Sequence, residues 1–443
     1  MKRPVGFVVF FLLTLSVWVG PGFLRGTAEA RVYIDINAPY ARQFPVAVAE
    51  LKPLAGESGQ EAAREMAETI RSDLEFSGIF RPLDPKGFLE DYRTMGLTAA
   101  ETKFQAWSMV GAEFLVKGGY TSDGTSFVCE LRLFDVRQGQ MLTGKRYSGT
   151  IQDARLMAHK FADEIMNQVT GEPGVFQTKM LYVSTETGYK EVYLSDYDGN
   201  APIKLTNYRS ISLDPAWSPD NRQIAFTSYK DGQPFLYRMD LGNRGVRRIL
   251  DRKGLNITPA YSPTGDQMAV TLSPDGDPEL FLVTTAGQVI KRLTNSRGID
   301  VQPSFSPDGT KLAFVSRRQG SPQIFIMDLA SGASRRVTFE GKYNTSPAWS
   351  PRGDRIAYVG MENNEFNVFT IAPDGSDRQQ LTWDQRDNES PSWSPDGRLM
   401  AFSSTRHGGQ AIYIMTANGG HVKRVTKMRG KQTSPGWSGR LWR

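Results

Sequence analysis

One short phrase returns six times toward the C-terminal side of the chain: Pro, a small residue, an aromatic, then Ser, followed in all but the last by Pro and a turn that twice reads Asp-Gly. It opens as Pro215-Ala216-Trp217-Ser218-Pro219-Asp220 and closes as Pro435-Gly436-Trp437-Ser438-Gly439. The leading prolines stand at 215, 259, 303, 347, 391 and 435, so every interval is 44 residues. A fixed period of about 40–45 residues is the length of one four-stranded propeller blade. Each phrase is followed by a short apolar strand, such as Leu312-Ala313-Phe314-Val315-Ser316, and an alternating one, such as Ile324-Phe325-Ile326-Met327. A fourth strand ends on Thr206, Thr294, Thr338, Thr382 or Thr426, with Leu250 in that place once. Alternating β-branched and aromatic residues broken by Gly, Pro, Asn and Asp are a strand-and-turn signal. Ser-Pro-Asp-Gly suits a tight turn, because Pro presets φ and Gly tolerates the closing position.

The last unit stops just after its first strand. Its missing strands have counterparts at the front, where Met180-Leu181-Tyr182-Val183-Ser184 matches Ile224-Ala225-Phe226-Thr227-Ser228 one period later. Residues 180–443 span six periods. The expectation is a mainly β chain: a six-bladed β-propeller over 180–443, closed by pairing the C-terminal strand with the N-terminal strands of the repeat region. Such closure covers two strand edges that would otherwise invite aggregation.

Ahead of the repeats the pattern changes. Lys2 and Arg3 precede an apolar run from Val5 to Gly20, followed by Ala28-Glu29-Ala30. This is the order of a secretory signal peptide, and the run is short for a membrane span, which needs about 20 residues. Residues 1–30 are therefore expected to be removed, leaving a periplasmic protein with no membrane span. Removal lowers the formal net charge from +6 to +4. The basic residues are scattered among acids, which argues against nucleic-acid binding. Residues 31–172 read as a small α/β domain. Phe44 to Ala49 reads as a strand. A helix is expected over 60–77, with Ala62, Met66, Ile70 and Leu74 on one face, and another over 153–169. Thr98 and Glu101 form a capping-box pattern before Phe104 and Trp107. Strands are expected near 114–120, 126–136 and 141–147, and Gly171-Glu172-Pro173-Gly174 reads as a hinge. The single cysteine, Cys129, lies in an apolar run and reads as a buried thiol.

No catalytic constellation is legible. There is no G-x-S-x-G elbow and no G-x-x-x-x-G-K-[ST] loop. His159, His407 and His421 lack partners at metal-ligand spacing, so neither a metal nor another cofactor is expected. Asp220, Asp308 and Asp396 recur at one place in the repeat and read as turn residues. Trp217, Tyr261, Phe305, Trp349, Trp393 and Trp437 read as packing between blades rather than a stacking platform for a ligand. What varies is the loop before each phrase, over 207–213, 251–257, 295–301, 339–345, 383–389 and 427–433. These loops are equal in length and unlike in sequence, with nine Lys or Arg against six Asp or Glu. On a ring they should share one face, and loops on a rigid scaffold often carry binding.

Taken in order, an export signal, an α/β segment opening with Val32-Tyr33-Ile34-Asp35-Ile36, and six P-x-W-S-P-D-G units resemble the TolB family of the periplasmic Tol-Pal envelope system. The resemblance implies a non-enzymatic adaptor that supports outer-membrane integrity and constriction at cell division. It implies that the propeller binds the lipoprotein Pal, and that the N-terminal segment contacts TolA. The matching segment here is Arg31, Val32, Tyr33, Ile34, Asp35 and Ile36. The loop candidates for the Pal contact are Asn207, Arg209, Asn295, Arg297, Glu340, Lys342, Tyr343, Asn344, Arg386 and Asn388. Two other readings compete: the propeller module of a periplasmic hydrolase, and a propeller that binds glycans or peptides.

Overall fold

The 44-residue period becomes six four-stranded antiparallel sheets arranged as a ring, in a computed structural model that describes residues 42–56, 58–383 and 386–440. Five blades are continuous in sequence. In the blade that follows residue 211, strands Ser212–Trp217, Gln223–Ser228, Phe235–Asp240 and Val246–Leu250 run from the inside of the ring outward. The sixth is mixed: Gln432–Trp437 pairs with Lys179–Ser184, which continues to Glu191–Asp196 and Ile203–Lys204. The ring therefore closes by the pairing that the sequence implied. Asn221 of the neighbouring blade reinforces the tail, accepting from Gly439 N at 2.8 Å and donating to Arg440 O at 3.1 Å.

The Pro phrase forms the inner strand itself. The residue before each proline, from Asp214 to Ser434, has φ between 49° and 56°, and each inner strand changes register there. Proline disfavours the α region for the residue before it, and here the chain resolves this with a left-handed β-bulge. Period-2 reading could not show this, because a bulge adds a residue without changing composition. The bulges place Asp214, Thr258, Gln302, Ser346, Ser390 and Ser434 around the central channel. Ser-Pro-Asp-Gly then makes the turn to the second strand. Asp308 accepts from Ser306 Oγ at 2.5 Å and Thr310 N at 3.0 Å, and these bonds hold its carboxyl down at about 2. The phrase aromatics bridge blades as expected: Trp217 Nε1 donates to Gly436 O at 2.9 Å and Trp393 Nε1 to Ala348 O at 3.0 Å.

The N-terminal region is a six-stranded sheet with two long helices on one face and a short one on the other. Its strands are β1 (Phe44–Val48), β2 (Lys52–Ala55), β3 (Phe80–Pro82), β4 (Phe114–Ser122), β5 (Ser126–Asp135) and β6 (Gln140–Thr150). Its helices are α1 (Gln60–Phe76), α2 (Phe104–Met109) and α3 (Ala154–Thr170). The order is β3-β1-β4-β5-β6, with β2 beside β4. The short strands β2 and β3 escaped the sequence reading because neither is long enough to show a period. α1 buries Ala62, Met66, Ile70 and Leu74 as its spacing demands. Cys129 is buried in the same core, and burial pushes its thiol up to about 12. The Thr98–Glu101 pair closes a turn, with Thr98 N donating to Glu101 Oε2 at 3.1 Å, and α2 starts only at Phe104. Residues 31–36, the expected TolA-contact segment, and the signal peptide at 1–30 lie outside the described residues.

The linker is tied down on both sides. Gly171 ends α3 at φ 77°, a conformation glycine adopts without a Cβ penalty. Beyond it, Arg398 pairs with Glu172 at 2.8 Å and Arg440 donates to Pro173 O at 2.7 Å. The hinge reading rested on Gly and Pro alone and could not foresee two arginines arriving from more than 200 residues away.

Candidate functional site

Strand register gives each blade two distinct ends. Ser212, Ser228 and Phe235 stand together at one end, and Trp217, Ile224 and Met239 at the other. The first end carries the variable loops and the second carries the Ser-Pro-Asp-Gly turns. The N-terminal region sits on the turn end. Tyr197 OH donates to Asp73 Oδ1 on α1 at 2.6 Å, and His159 Nδ1 on α3 lies 2.7 Å from Asp73 Oδ2. Arg155 pairs with Asp198, Lys423 donates to Ser72 at 3.0 Å, and Trp437 stacks on Tyr197 with ring centroids 6.3 Å apart. His159 is thus one side of a buried pair with the Asp73 carboxyl. Burial pulls its imidazole down, but the Asp73 carboxylate and its hydrogen bond outweigh that, so the net direction is up.

With the turn end engaged near the chain termini, the loop end is the face turned away from the N-terminal region. Each loop there is anchored at both ends. At the start of five of the six is the repeated threonine, whose hydroxyl accepts a backbone N–H, as from Val192 N to Thr206 and Val368 N to Thr382, both at 2.9 Å, and Leu250 takes that place in the other. At the end is a fully buried polar residue at the first position of the inner strand: Ser212, Asn256, Asp300, Asn344, Asn388 or Gln432. Two of the ten loop candidates are these anchors and do not face solvent. Asn344 donates to Gln323 Oε1 and Glu340 O, both at 2.8 Å. Asn388 donates to Arg386 O at 2.8 Å and accepts from Arg406 at 2.9 Å. Their amides satisfy buried backbone groups, and the burial of position 344 in its repeat was not readable from polarity. The other eight are exposed: Asn207, Arg209, Asn295, Arg297, Glu340, Lys342, Tyr343 and Arg386. Glu340 pairs with Arg378 at 3.1 Å, and Tyr343 packs edge-on against Phe366.

The loops also hold two residues that sequence reasoning passed over. One position recurs as Asn207, Asp251, Asn295, Phe339, Trp383 and Lys427. Four are polar, and two in adjacent blades are large aromatics. Phe339 is 71% exposed and Trp383 54%, and Tyr343, in the same loop as Phe339, is 38% exposed. Arg336 lies over the Phe339 ring at 5.0 Å. Aligning the loops by the period would have exposed this pair. Scattered apolar surface residues mean little, but aromatics and arginines clustered on one rim match the composition of docking hot spots.

The remaining chemistry stays scattered. Asp220, Asp308 and Asp396 are on the turn end, His407 bonds Tyr413 OH at 2.7 Å, and His421 meets Gln43. Among the described residues no three His, Cys, Asp or Glu side chains converge as a metal site, and no helix is long and apolar enough to cross a membrane.

Family models match this arrangement part by part. The model of the TolB amino-terminal domain matches residues 32–142, and that of the TolB beta propeller domain matches 166–441. The chain belongs to the TolB family. A Tol-Pal system protein TolB from Syntrophotalea carbinolica is 45% identical over 201 residues, which cover 45% of this chain and 46% of that one. One from Desulfosudis oleivorans is 46% identical over 205 residues, 46% of this chain and 47% of the other. The match therefore spans about half the length of these TolB relatives. The crystal structure of TolB from Acinetobacter baumannii superposes with a TM-score of 0.78 at 27% identity, covering 90% of this chain and 97% of that one. Both the ring and the N-terminal sheet thus have a TolB counterpart.

Proposed function

We propose that this chain is a non-enzymatic periplasmic adaptor of the Tol-Pal envelope system. Its propeller binds the lipoprotein Pal, and its N-terminal segment Arg31 to Ile36 binds TolA. That bridge supports outer-membrane integrity and constriction at division. The observation that carries the reading is the asymmetry of the ring: one end is occupied by the N-terminal region, and the other presents unlike loops with Phe339, Tyr343 and Trp383 exposed. The alternating residues Val32-Tyr33-Ile34-Asp35-Ile36 suit binding by strand addition, where main-chain hydrogen bonds supply affinity. Binding of purified Pal to the full chain tests the propeller half. Phe339→Ala and Trp383→Ala should each weaken it while leaving TolA binding intact. Deleting residues 31–36 should do the reverse. Pal binding unaffected by both aromatic substitutions would place the contact elsewhere.

A further inference from the structure

The six loop anchors have six partners, because the first residue of each inner strand meets the third strand of the preceding blade. The backbone contact repeats: Ser212 N donates to Lys190 O at 2.8 Å, Asp300 N to Pro278 O at 2.9 Å and Asn344 N to Pro322 O at 2.9 Å. Side chains at the paired positions are Glu191 with Ser212, Phe235 with Asn256, Glu279 with Asp300, Gln323 with Asn344, Asn367 with Asn388, and Ala411 with Gln432. Where both are amides they bond directly: Asn344 Nδ2 to Gln323 Oε1 at 2.8 Å, and Asn388 Nδ2 to Asn367 Oδ1 at 3.3 Å. Where one is an acid, as in Glu191, it is satisfied by Thr206 Oγ1 and by Tyr208 N and Arg209 N.

Only at 279 and 300 are both paired residues acids, and Ser296 bonds both of them. Glu279 is 1% exposed and Asp300 0%. Each has one oxygen served. Glu279 Oε1 accepts from Ser296 N at 2.9 Å, with Arg292 at 3.6 Å. Asp300 Oδ2 accepts from Arg318 at 2.8 Å and Ser296 Oγ at 2.9 Å. The other oxygen of each, Glu279 Oε2 and Asp300 Oδ1, is buried with no well-formed hydrogen bond among the described residues, although the Thr294 hydroxyl lies near Glu279. Two ionised carboxylates gathered on one serine in a dry site repel each other, and an orphaned buried acceptor costs about 1–3 kcal/mol.

We propose that Glu279 and Asp300 share one proton, and that this carboxyl–carboxylate bond pins the 294–299 loop, which carries Asn295 and Arg297. It occupies the place of the amide–amide bonds in the next two blades. The surrounding charges are Arg292, itself paired with Asp275 at 3.2 Å, and Arg318. Burial pushes the Glu279 carboxyl up; Ser296 N, Thr294 and Arg292 pull it down, and the Asp300 charge adds to the rise. An acid raised in the folded state contributes stability that is present below its unfolded value and lost as pH rises through the folded one. Loss of the proton leaves two like charges in a dry site, and the loop loosens.

Carboxyl-labelled NMR of the full chain tests the pair directly. One carboxyl should titrate above the ordinary range in the native protein, and its signal should vanish in both Glu279→Gln and Asp300→Asn. Glu279→Gln recreates the Gln323 chemistry and should melt about 2–4 °C above the native chain near pH 8, converging with it near pH 5. Amide exchange in 294–299, corrected for its intrinsic rate, should lose protection as pH rises in the native chain only. Two carboxyls titrating in the ordinary range, as a bridging water between two ionised groups would give, overturns the proposal. So do parallel melting profiles. A pH-dependent Pal affinity would follow only if the adaptor reading also holds; the titration stands without it.

Discussion

The two ends of the ring are built from the same six repeats and have opposite designs. The turn end repeats itself, with a Ser-Pro turn closing each continuous blade's first hairpin through bonds such as Ser394 Oγ to Asp396 Oδ1 at 2.5 Å. The loop end repeats only its anchors and varies everything between them. On the turn end the variation that matters lies outside the repeat: α1 and α3 meet the mixed blade through Asp73, His159, Tyr197 and Asp198, and α1 meets the blade before it through Ser72 and Lys423. A repeat therefore supplies scaffold where it is kept and specificity where it is broken, because a position that is alike in six blades cannot distinguish one side of the ring from another.

The largest test of this contrast removes the closure on which both ends depend. Deleting residues 435–443 strips the inner strand from the mixed blade and exposes its edge. The loss should approach the whole stability of a domain, about 5–15 kcal/mol, read as a collapse of the melting transition and aggregation. An unchanged transition would show that closure is dispensable. Next comes the turn end. Asp73→Ala leaves His159 buried without its carboxylate and should cost about 3–5 kcal/mol by denaturant unfolding. Because the His159 value is raised, the pair's contribution is present below about pH 6.5 and is lost as pH rises through the folded value. Asp73→Asn should flatten that dependence.

The loop end should respond in the opposite manner, in binding and not in stability. Trp383→Ala or Phe339→Ala should weaken Pal binding by about 2 kcal/mol or more, with stability within about 0.5 kcal/mol of the native chain. A stability loss with intact binding would reverse the assignment of the two ends. The smallest effect belongs to the exposed charges. Reversing Arg297, Lys342 or Arg386 should change the association rate and its salt dependence, with less than about tenfold in affinity.

The loop end also shows where sequence reading stops. The period located the loops and their shared face, and eight of ten candidate side chains are exposed there. It could not separate Asn344 and Asn388 from them, since an asparagine that seals a buried backbone is written the same way as one that greets a partner. Phe339 and Trp383 were within reach, as departures from a column of polar residues, and needed only the repeat itself as the alignment.

By itself the sequence determined the ring: six equal periods, a truncated last unit with its complement at the front, and turn residues whose φ preferences place the hairpins. It also determined α1 and α3, whose 3.6-residue spacing reports a buried face. Only the tertiary structure decided the left-handed bulges that line the channel, the tethering of the linker by Arg398 and Arg440, and the gathering of buried Glu279 and Asp300 on Ser296. Those features join residues that are far apart in the chain or differ only in backbone conformation. Composition and period record which residues are present and how often, and not which distant atoms close packing brings within a hydrogen bond.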